Sequence, residues 1–239
     1  MRLSFVVPAY NEESYLPDCL ESILKQTAGL AEPAEIIVVN NASTDRTREV
    51  ALNYPGVRVV DEMRKGLTFA RQAGFAASTG ELIANVDADT RLPSCWLSTA
   101  EHLFASHPDM VCLSGPFRYY DIDGVNRWIA EGLWWITAPL TYRITGFMVL
   151  GANFIAKRTA LQQIGGFDTN ISFYGEDTNL ALRLSKVGKV RFAMNFYILG
   201  SARRILKEGL AKTFWVYGMN YCAIAFRKGP YTKVHKDIR

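Results

Sequence analysis

Cysteine, long apolar runs and a strong charge of one sign are all scarce in this sequence of 239 residues. The four cysteines are scattered without a C-x-x-C pair, which argues against a zinc site or a disulfide framework and fits a reducing cytosol. The longest uncharged stretches, Ile144 to Ala156 and Thr213 to Phe226, have 13 and 14 residues, whereas a membrane-spanning helix needs roughly 20. The apolar run before Pro8 is too short for a signal peptide. We therefore expect a cytoplasmic protein without a transmembrane helix.

The formal net charge of +4 is too small to indicate a nucleic-acid-binding surface, so no nucleic-acid partner is expected. The basic excess is uneven, because nine lysine and arginine residues face two acidic ones between Ser201 and Arg239. Aromatic residues occur in the same segment. This composition predicts a basic, amphipathic C-terminal helix and tail, which would allow peripheral contact with the inner face of an anionic membrane.

Short β-rich runs alternate with helical patterns in the first ninety residues, which predicts parallel strands joined by helical crossovers. The predicted strands are Leu3–Val7, Glu35–Asn40, Val57–Val60 and Glu81–Val86. Asn11 is expected to cap the first helix, with Glu12 and Glu13 in its first turn. The fold class is therefore α/β, with a mostly parallel central sheet and flanking helices. Ligands of such sheets bind beyond the carboxyl ends of the strands, so the residues that follow each strand are the site candidates.

The second half carries a predicted strand, Met110–Phe117, then an aromatic, partly helical stretch, Trp128–Tyr142, and an apolar run, Phe147–Ala156. The aromatic side chains are either buried core or an apolar ledge that receives a sugar or a lipid-linked acceptor. They are Trp128, Trp134, Trp135, Tyr142 and Phe147. The expected units are one domain at residues 1–200, with a boundary between its halves after residue 90, and the C-terminal helix and tail at 201–239.

Asp87 and Asp89 follow a hydrophobic strand and are separated by one residue. Carboxylates at this spacing project to the same side of an extended chain and can converge on one hard cation that is bound to phosphate. The plain alternative is two solvated acids at a turn. Lys65, Gly66 and Arg71 precede the pair. The two cations and the glycine would allow the diphosphate of a nucleotide to lie close to the backbone.

A second acidic pair, Glu176 and Asp177, comes immediately before a helical pattern. Carboxylates at a helix start are stabilised by the helix dipole, so one interpretation is an ordinary helix cap. The other is a general base that takes the proton from an acceptor hydroxyl as that hydroxyl attacks a sugar.

Five blocks of the chain, in order, resemble the family-2 glycosyltransferases with the GT-A fold. They are Val6–Glu13, Val38–Asp45, Asp87–Asp89, Gly151–Asp168 and Gly175–Leu184. The resemblance covers nearly the whole chain up to about Arg204. It implies a GT-A-like, Rossmann-type catalytic domain with a nucleotide-binding half at 1–90 and an acceptor-binding half at 91–200. It also implies the transfer of a sugar from a UDP-, GDP- or dTDP-sugar to a hydroxyl acceptor, which is a glycan, a lipid-linked molecule or a small molecule.

The same resemblance implies roles for individual residues. Pro8, Ala9, Tyr10, Glu12, Asp87 and Ala88 would line the nucleotide, Asp89 and Asp87 would ligate Mn²⁺ or Mg²⁺, Asp177 beside Glu176 would be the catalytic base, and Gly151 and Asn153 would lie on the acceptor side. If one carboxylate is the base and the nucleoside diphosphate leaves from the opposite face, the reaction is a single displacement with inversion.

The chain departs from the family pattern in two places. Asn40 and Asn41 stand where many members carry two aspartates; an amide can still bond the edge of a base, although the assumption of uracil is weakened. The Q-x-x-R-W block of processive synthases is missing, which favours transfer of one sugar per encounter. In the corresponding region, Arg203 and Arg204 are either a clamp for the leaving diphosphate or a solvated helix start.

Two other functions compete with this interpretation. A sugar-nucleotide nucleotidyltransferase would usually open with a glycine-rich basic loop after the first strand, whereas this chain has Ala9–Glu13 there. A non-catalytic module that binds nucleotide or a membrane surface would not need all four acidic residues of the two pairs.

Overall fold

The computed structural model describes residues 2–171, 173–227 and 231–232. The strands are β1 (Leu3–Ala9), β2 (Glu35–Asn40), β3 (Val57–Asp61), β4 (Leu82–Val86), β5 (Thr90–Arg91), β6 (Met110–Ser114), β7 (Phe117–Tyr119), β8 (Asn153–Lys157), β9 (Lys189–Phe192) and β10 (Ile198–Gly200). The helices are α1 (Leu16–Thr27), α2 (Thr47–Leu52), α3 (Leu67–Ala77), α4 (Trp96–Ser106), α5 (Gly124–Thr145), α6 (Arg158–Gln163), α7 (Glu176–Leu184), α8 (Arg203–Glu208) and α9 (Leu210–Arg227). Most of the predicted basic tail, at 228–230 and 233–239, lies outside the described residues.

A seven-stranded sheet in the order β3-β2-β1-β4-β8-β6-β9 forms the centre of the molecule. Strands β1 to β4 are parallel, β8 runs antiparallel to both of its neighbours, and β9 is parallel to β6. The predicted α/β class with a mostly parallel sheet and flanking helices is confirmed. Because β1, β2 and β4 are parallel neighbours, the residues that follow them meet at one edge of the sheet.

Both faces of the sheet are buried, since successive side chains of a strand point to opposite faces. Phe5 of β1 packs in a core with Leu20 of α1 and Trp96 of α4. The adjacent Val6 belongs to a second core with Phe75 of α3 and Leu180 of α7. The sheet is therefore covered by helices on each side, and its polar groups can meet solvent only at its edges.

Helix α3 lies very close to the sheet because of Gly74. A Cβ atom at this position would clash with the side chain of Val6. The close approach is possible because glycine has no side chain. It also carries Arg71, one turn earlier on α3, toward the carboxyl ends of the strands.

Helix α1 begins at Leu16, with a proline in its first turn, and the predicted cap at Asn11 is wrong. Asn11 has a positive φ of 52°, and its Oδ1 accepts a hydrogen bond of 2.8 Å from the backbone N–H of Thr44. The side chain therefore joins the loop after β1 to the loop after β2 and cannot satisfy an N–H of α1.

The predicted strand Met110–Phe117 is divided into β6 and β7. A Cβ atom at Gly115 would overlap the carbonyl oxygen of Phe196, and Pro116 has no N–H to donate, so the chain leaves the large sheet here. Strand β7 joins a second, three-stranded sheet in the order β5-β10-β7. In this small sheet Gly200 pairs with Thr90, which places the start of α8 beside the end of β4.

The predicted C-terminal helix is present as α8 and α9. Within the part of the chain that the structure describes, no helix combines the length and apolarity needed to cross a membrane.

Candidate active site

The loops after β1 and β2 are joined by hydrogen bonds at the edge where the site was expected. The backbone N–H of Asn41 donates to the carbonyl of Ala9 at 2.8 Å, and the N–H of Glu12 donates to Thr47 Oγ1 at 2.7 Å. Glu12 is 2% exposed. Pro8 and Ala9 are buried in β1 itself, so Tyr10 is the first residue of this loop with an accessible side chain.

Asn40 ends β2 and pairs with a carboxylate on the next strand. Its Nδ2 donates to Asp61 Oδ1 at 2.9 Å, and this bond lowers the pKa of Asp61, with help from Arg48. The Oδ1 of Asn40 is buried and has no partner among the described residues. An acceptor atom therefore remains at the strand end, where the base of a nucleotide was expected. The departure from Asp-Asp has a local reason, because an aspartate here would repel Asp61.

Asn41 fixes the loop that carries Lys65 and Gly66. Its Nδ2 donates to the carbonyls of Glu62 and Arg64, at 3.0 and 2.8 Å, and its Oδ1 accepts from the N–H of Gly66 at 2.8 Å. This bonding role was not recognised in the sequence, although an amide is the side chain that can both donate and accept.

The loop held by Asn41 lies against the first strand-end loop. The Nζ of Lys65 lies 3.9 Å from the ring centroid of Tyr10, a cation–π contact. The two residues expected at the nucleotide are thus adjacent.

The two acidic motifs meet on the guanidinium of Arg71. Its Nη2 lies 3.0 Å from Asp87 Oδ1, and its Nη1 lies 2.5 Å from Glu176 Oε1. Arg71 was expected to contact the nucleotide. It is 1% exposed and therefore lies beneath the site, as an internal counter-ion. A buried cation with two carboxylate partners offsets the cost of removing these charges from water.

Gly151 closes the pocket around this ion pair. A Cβ atom there would come within 2.7 Å of Glu176 Oε1 and 2.9 Å of the Arg71 guanidinium. The backbone of Gly151 also donates a hydrogen bond to Asp177, as does the N–H of Thr178. Only glycine leaves room for the contact, so the acceptor-side segment and the second acidic pair are held together.

The two carboxyl groups of the second pair have different environments. Burial raises the pKa of Glu176 to about 7, an effect that outweighs the opposing charge of Arg71. Burial also raises the pKa of Asp177, against the hydrogen bonds from the backbone of Thr178 and Gly151. Glu176 is turned toward Arg71, whereas Asp177 is half-buried and retains some exposure. Asp177 is therefore the better placed of the two to meet a substrate.

Arg203 lies directly against the aspartate motif. Its guanidinium donates to both carboxylate oxygens of Glu12, at 3.0 and 2.5 Å, and its Nη2 lies 2.8 Å from Asp89 Oδ2. The pairing of β10 with β5 brings it here over a long sequence separation. The alternative of a solvated helix start is wrong for Arg203, whose side chain is 15% exposed.

Arg204 faces away from Asp89 and the metal motif. Its Nη1 donates to the hydroxyl of Tyr174 at 3.5 Å and lies 3.7 Å from Glu208. Arg203 and Arg204 were expected to bind the diphosphate together. Only Arg203 lies at the acidic residues, and Arg204 lies beside the segment that precedes α7.

Asn153 does not face the cleft. It is fully buried; its Oδ1 accepts from Trp96 Nε1 at 2.9 Å, and its Nδ2 donates to the carbonyls of Phe196 and Gly115. The amide is committed to the core, so we do not retain it as an acceptor contact. Ala88, between the two aspartates, is also buried.

Asp87 and Asp89 are suited to hold a divalent cation together with phosphate. No group of three or more His, Cys, Asp and Glu side chains suited to a metal ion occurs within residues 2–171, 173–227 and 231–232. Mg²⁺ and Mn²⁺ accept one or two carboxylates when phosphate oxygens complete the coordination, and these two carboxylates already attract the cations of Arg71 and Arg203. The oxygen donors therefore fit the expected ion.

The chain is similar in sequence to glycosyltransferases. The model of the family described as "Glycosyl transferase family 2" matches residues 4–165, more than half of the chain. The glucosyl-dolichyl phosphate glucuronosyltransferase of Haloferax volcanii is 25% identical over 187 residues, which cover 74% of this chain and 59% of that protein. The chain spans less than two thirds of the length of this and other curated relatives that it matches.

Solved structures of glycosyltransferases share the fold. A mannosyltransferase from Pyrobaculum calidifontis, in complex with GDP-Man and Mn²⁺, has a TM-score of 0.71 at 21% identity and covers 95% of this chain and 63% of its own. The glucosyl-3-phosphoglycerate synthase of Mycobacterium tuberculosis, in complex with Mn²⁺, UDP-glucose and phosphoglyceric acid, has a TM-score of 0.63 at 18% identity, with 95% and 79% covered. The chain therefore has the GT-A fold and belongs to glycosyl transferase family 2.

Proposed function

We propose that this glycosyltransferase moves one sugar per encounter from a nucleoside-diphosphate donor to a hydroxyl acceptor, with inversion and with the help of a divalent metal ion. The observation that carries the proposal is the Arg71 bridge, which holds Asp87 and Glu176 on one guanidinium. A donor diphosphate at the first acidic pair and an acceptor hydroxyl at the second would then share one cleft.

On the donor side, Asp89 and Asp87 would hold Mn²⁺ or Mg²⁺ together with the diphosphate of a UDP-, GDP- or dTDP-sugar. When bound, the ion would supply positive charge that stabilises the leaving nucleoside diphosphate. The unpartnered Oδ1 of Asn40 would accept an N–H of the base, and Tyr10 with Lys65 would bound the nucleotide on its other side.

On the acceptor side, Asp177 would act as the base. As the acceptor oxygen forms its bond to the anomeric carbon, Asp177 takes the hydroxyl proton, and the bond from that carbon to the diphosphate oxygen breaks with its electron pair. Glu176 stays bound to Arg71 and keeps the aspartate in position. Attack and departure on opposite faces of the sugar give inversion.

Arg203 would change partner during the cycle. In the ligand-free chain its guanidinium occupies the acidic residues Glu12 and Asp89. Once the carboxylate of Asp89 takes another cation, Nη2 of Arg203 is released from Asp89 and can donate to a diphosphate oxygen, while the guanidinium stays paired with Glu12.

The acceptor class that we favour is lipid-linked, on a cytoplasmic membrane surface. The Haloferax volcanii relative is named as a transferase that acts on glucosyl-dolichyl phosphate, a lipid-linked sugar. The proposal keeps the expected division into a nucleotide-binding half at 1–90, an acceptor-binding half at 91–200 and a C-terminal part at 201–239.

A donor screen tests the proposal. Purified protein is incubated with a panel of nucleotide sugars, with Mn²⁺ or with a chelator, and release of nucleoside diphosphate is measured. We expect slow, metal-dependent hydrolysis of one donor that Asp177→Asn abolishes. Pyrophosphate release from a nucleoside triphosphate, or no binding of any nucleotide sugar in calorimetry, would contradict it.

A further inference from the structure

Helix α5 carries an apolar face that the protein does not cover. Its large exposed side chains recur at helical spacing, at Trp128, Ile129, Trp135, Ile136, Leu140 and Ile144. Trp128 is 81% exposed, and Ile136 and Ile144 are 70% and 68% exposed. A contiguous exposed stripe of this size marks an interaction surface, whereas scattered apolar side chains do not.

The helix rests on the protein through small residues. Ala130 and Ala138 are its only buried members in the 22 residues of α5, all of which the structure describes. Of the two interpretations of the aromatic stretch, buried core is therefore wrong for Trp128 and Trp135. Trp134 does pack against the protein, with its ring 6.3 Å from that of Phe214. A helix with so little burial needs a further surface to cover its apolar side.

Helix α9 extends the same surface. It lies beside α5, since the ring of Trp134 contacts Phe214 and the hydroxyl of Tyr221 lies 2.9 Å from Thr145 Oγ1. Its own outward side presents Trp215, 68% exposed, and Phe226. We call the exposed apolar side chains of α5 and α9 together the α5–α9 surface.

The exposed charges within the two helices are cationic, whereas the exposed Asp121 and Asp123 lie just before α5. The acid of α5, Glu131, is turned inward, where it accepts from the N–H of Tyr119 and from Arg127 Nε. Helix α9 has no acidic residue in its sequence. Arg143 and Lys212 are exposed on the two helices. An apolar face with basic and tryptophan side chains complements the interfacial region of an anionic bilayer.

We propose that the α5–α9 surface docks on an anionic lipid bilayer, with both helices lying in the plane of the membrane. The described helices are not able to span a membrane, so the tryptophans would enter only the headgroup boundary. The position suits a lipid-linked acceptor. Helix α5 leads into the segment that carries Gly151, and Ile224 of α9 packs against Gly175, directly before Glu176.

The test is flotation of the full chain with vesicles of phosphatidylcholine, with and without phosphatidylglycerol. The informative variant combines Trp128→Ser and Trp135→Ser, and its matched control is Leu52→Ser, an exposed apolar residue on α2. We expect the wild type and the control to float with anionic vesicles, and the partition coefficient of the double variant to fall about tenfold or more. Arg143→Gln with Lys212→Gln should weaken binding to the phosphatidylglycerol vesicles and leave binding to neutral ones unchanged.

Two results would overturn the docking proposal. The first is equal flotation by the wild type and the tryptophan variant. The second is a wild type that sediments as a dimer without lipid and does not bind vesicles, together with a tryptophan variant that sediments as a monomer. That result would assign the surface to a second copy of the chain. Circular dichroism spectra establish that each variant is folded. Vesicle binding needs neither donor nor turnover, so Asp177→Asn should bind as the wild type does even if the proposed function fails.

Discussion

Removal of the Arg203 guanidinium should change metal binding and nucleotide binding in opposite directions. In the ligand-free chain this cation occupies Asp89, so a divalent ion must compete with it. In the donor complex the same guanidinium is proposed to bind the diphosphate. Arg203→Ala should therefore tighten Mn²⁺ binding to the protein alone and weaken the binding of nucleoside diphosphate at saturating Mn²⁺.

The contacts of Arg203 set the size of both effects. A hydrogen bond to a charged group contributes about 1.5–3 kcal/mol. The Asp89 side chain is 18% exposed, so solvent screens part of the attraction and the lower end of that range applies, which corresponds to about tenfold in Kd. Loss of a charged hydrogen bond to phosphate should weaken nucleoside diphosphate binding by about tenfold or more.

Two measurements separate the effects. Free Mn²⁺ in equilibrium with the protein is followed by electron paramagnetic resonance, and nucleoside diphosphate binding is followed by calorimetry with Mn²⁺ in excess. Arg58→Ala is the matched control, since Arg58 pairs with Glu35 on the surface, at the end of the sheet opposite to the site. It should change neither constant.

Glu12 complicates the alanine variant, because it is 2% exposed and would lose the guanidinium with which it pairs. Removal of one partner of a buried ion pair costs about 3–5 kcal/mol of stability. Arg203→Gln is the second variant, since an amide can still donate to Glu12 without carrying charge. If Mn²⁺ binds both folded variants no more tightly than the wild type, Arg203 does not compete with the ion, and the proposed exchange of partners is refuted.

Three further substitutions test other parts of the site. Asp177→Asn removes the proposed base, so initial rates of transfer should fall by a factor on the order of 10²–10⁴, with calorimetric donor binding retained. Burial raises the pKa of Glu176 from 4.5 to about 7, so the wild-type free energy of unfolding should fall by about 3 kcal/mol as pH rises between those values. Glu176→Gln cannot titrate, so denaturant unfolding of this variant should depend less on pH. Asn40→Asp places a second carboxylate against Asp61 and should lower the melting temperature, by an amount that shrinks when acid protonates the pair.

Each of these expectations has a result that would contradict it. Wild-type transfer by Asp177→Asn would remove the base assignment, and Asp109→Asn, an exposed aspartate paired with Lys189, is its control. An unchanged pH profile in Glu176→Gln would mean that another group titrates in that window. A melting temperature for Asn40→Asp that is equal to that of the wild type would show that the amide is not needed beside Asp61.

The location of the site could be predicted because it depends on local sequence. A parallel strand delivers the residues that follow it to one edge of the sheet, so the short motifs at Tyr10, Asn40 and Asp87 needed only the strand assignment to be placed together. The second half of the site followed the same rule less directly. Asp177 lies in the first turn of a helix, and only the resemblance to a family related that helix start to the metal motif.

The ion pairs between distant segments could not be predicted, because they depend on pairings that no local pattern encodes. Arg203 reaches Glu12 and Asp89 because β10 pairs with β5, a two-residue strand with almost no signal of its own. Arg71 was recognised as a cation near the site. Its burial depends on the approach of α3 to the sheet at Gly74 and on Gly151, which lies against its guanidinium.

Polar residues near a motif were the ones most easily misassigned. Asn153 lies in a block that resembles the acceptor segment, yet its amide bonds the indole of Trp96 and two backbone carbonyls in the core. Asn11 is of a residue type that often caps helices, yet its side chain bonds to the loop after β2. In both cases the local sequence permits two hydrogen-bonding roles, and only the tertiary partner selects one.

Arg71 and Arg203 have different roles in the site because they are buried to different extents. A fold that gathers Glu12, Asp87, Asp89 and Glu176 must neutralise them before any ligand binds, because buried carboxylates without a counter-charge are costly. Arg71 does this from the interior at 1% exposure, on the long helix α3, so a ligand cannot replace it without breaking the core. Arg203 does it from the rim, on the six-residue helix α8 that follows a short strand, with its side chain 15% exposed. A metal ion can reach a cation at the rim, so we propose that the ion replaces Arg203 at Asp89 and that Arg203 then donates to the diphosphate. A cation in the core can only hold the two acidic motifs together.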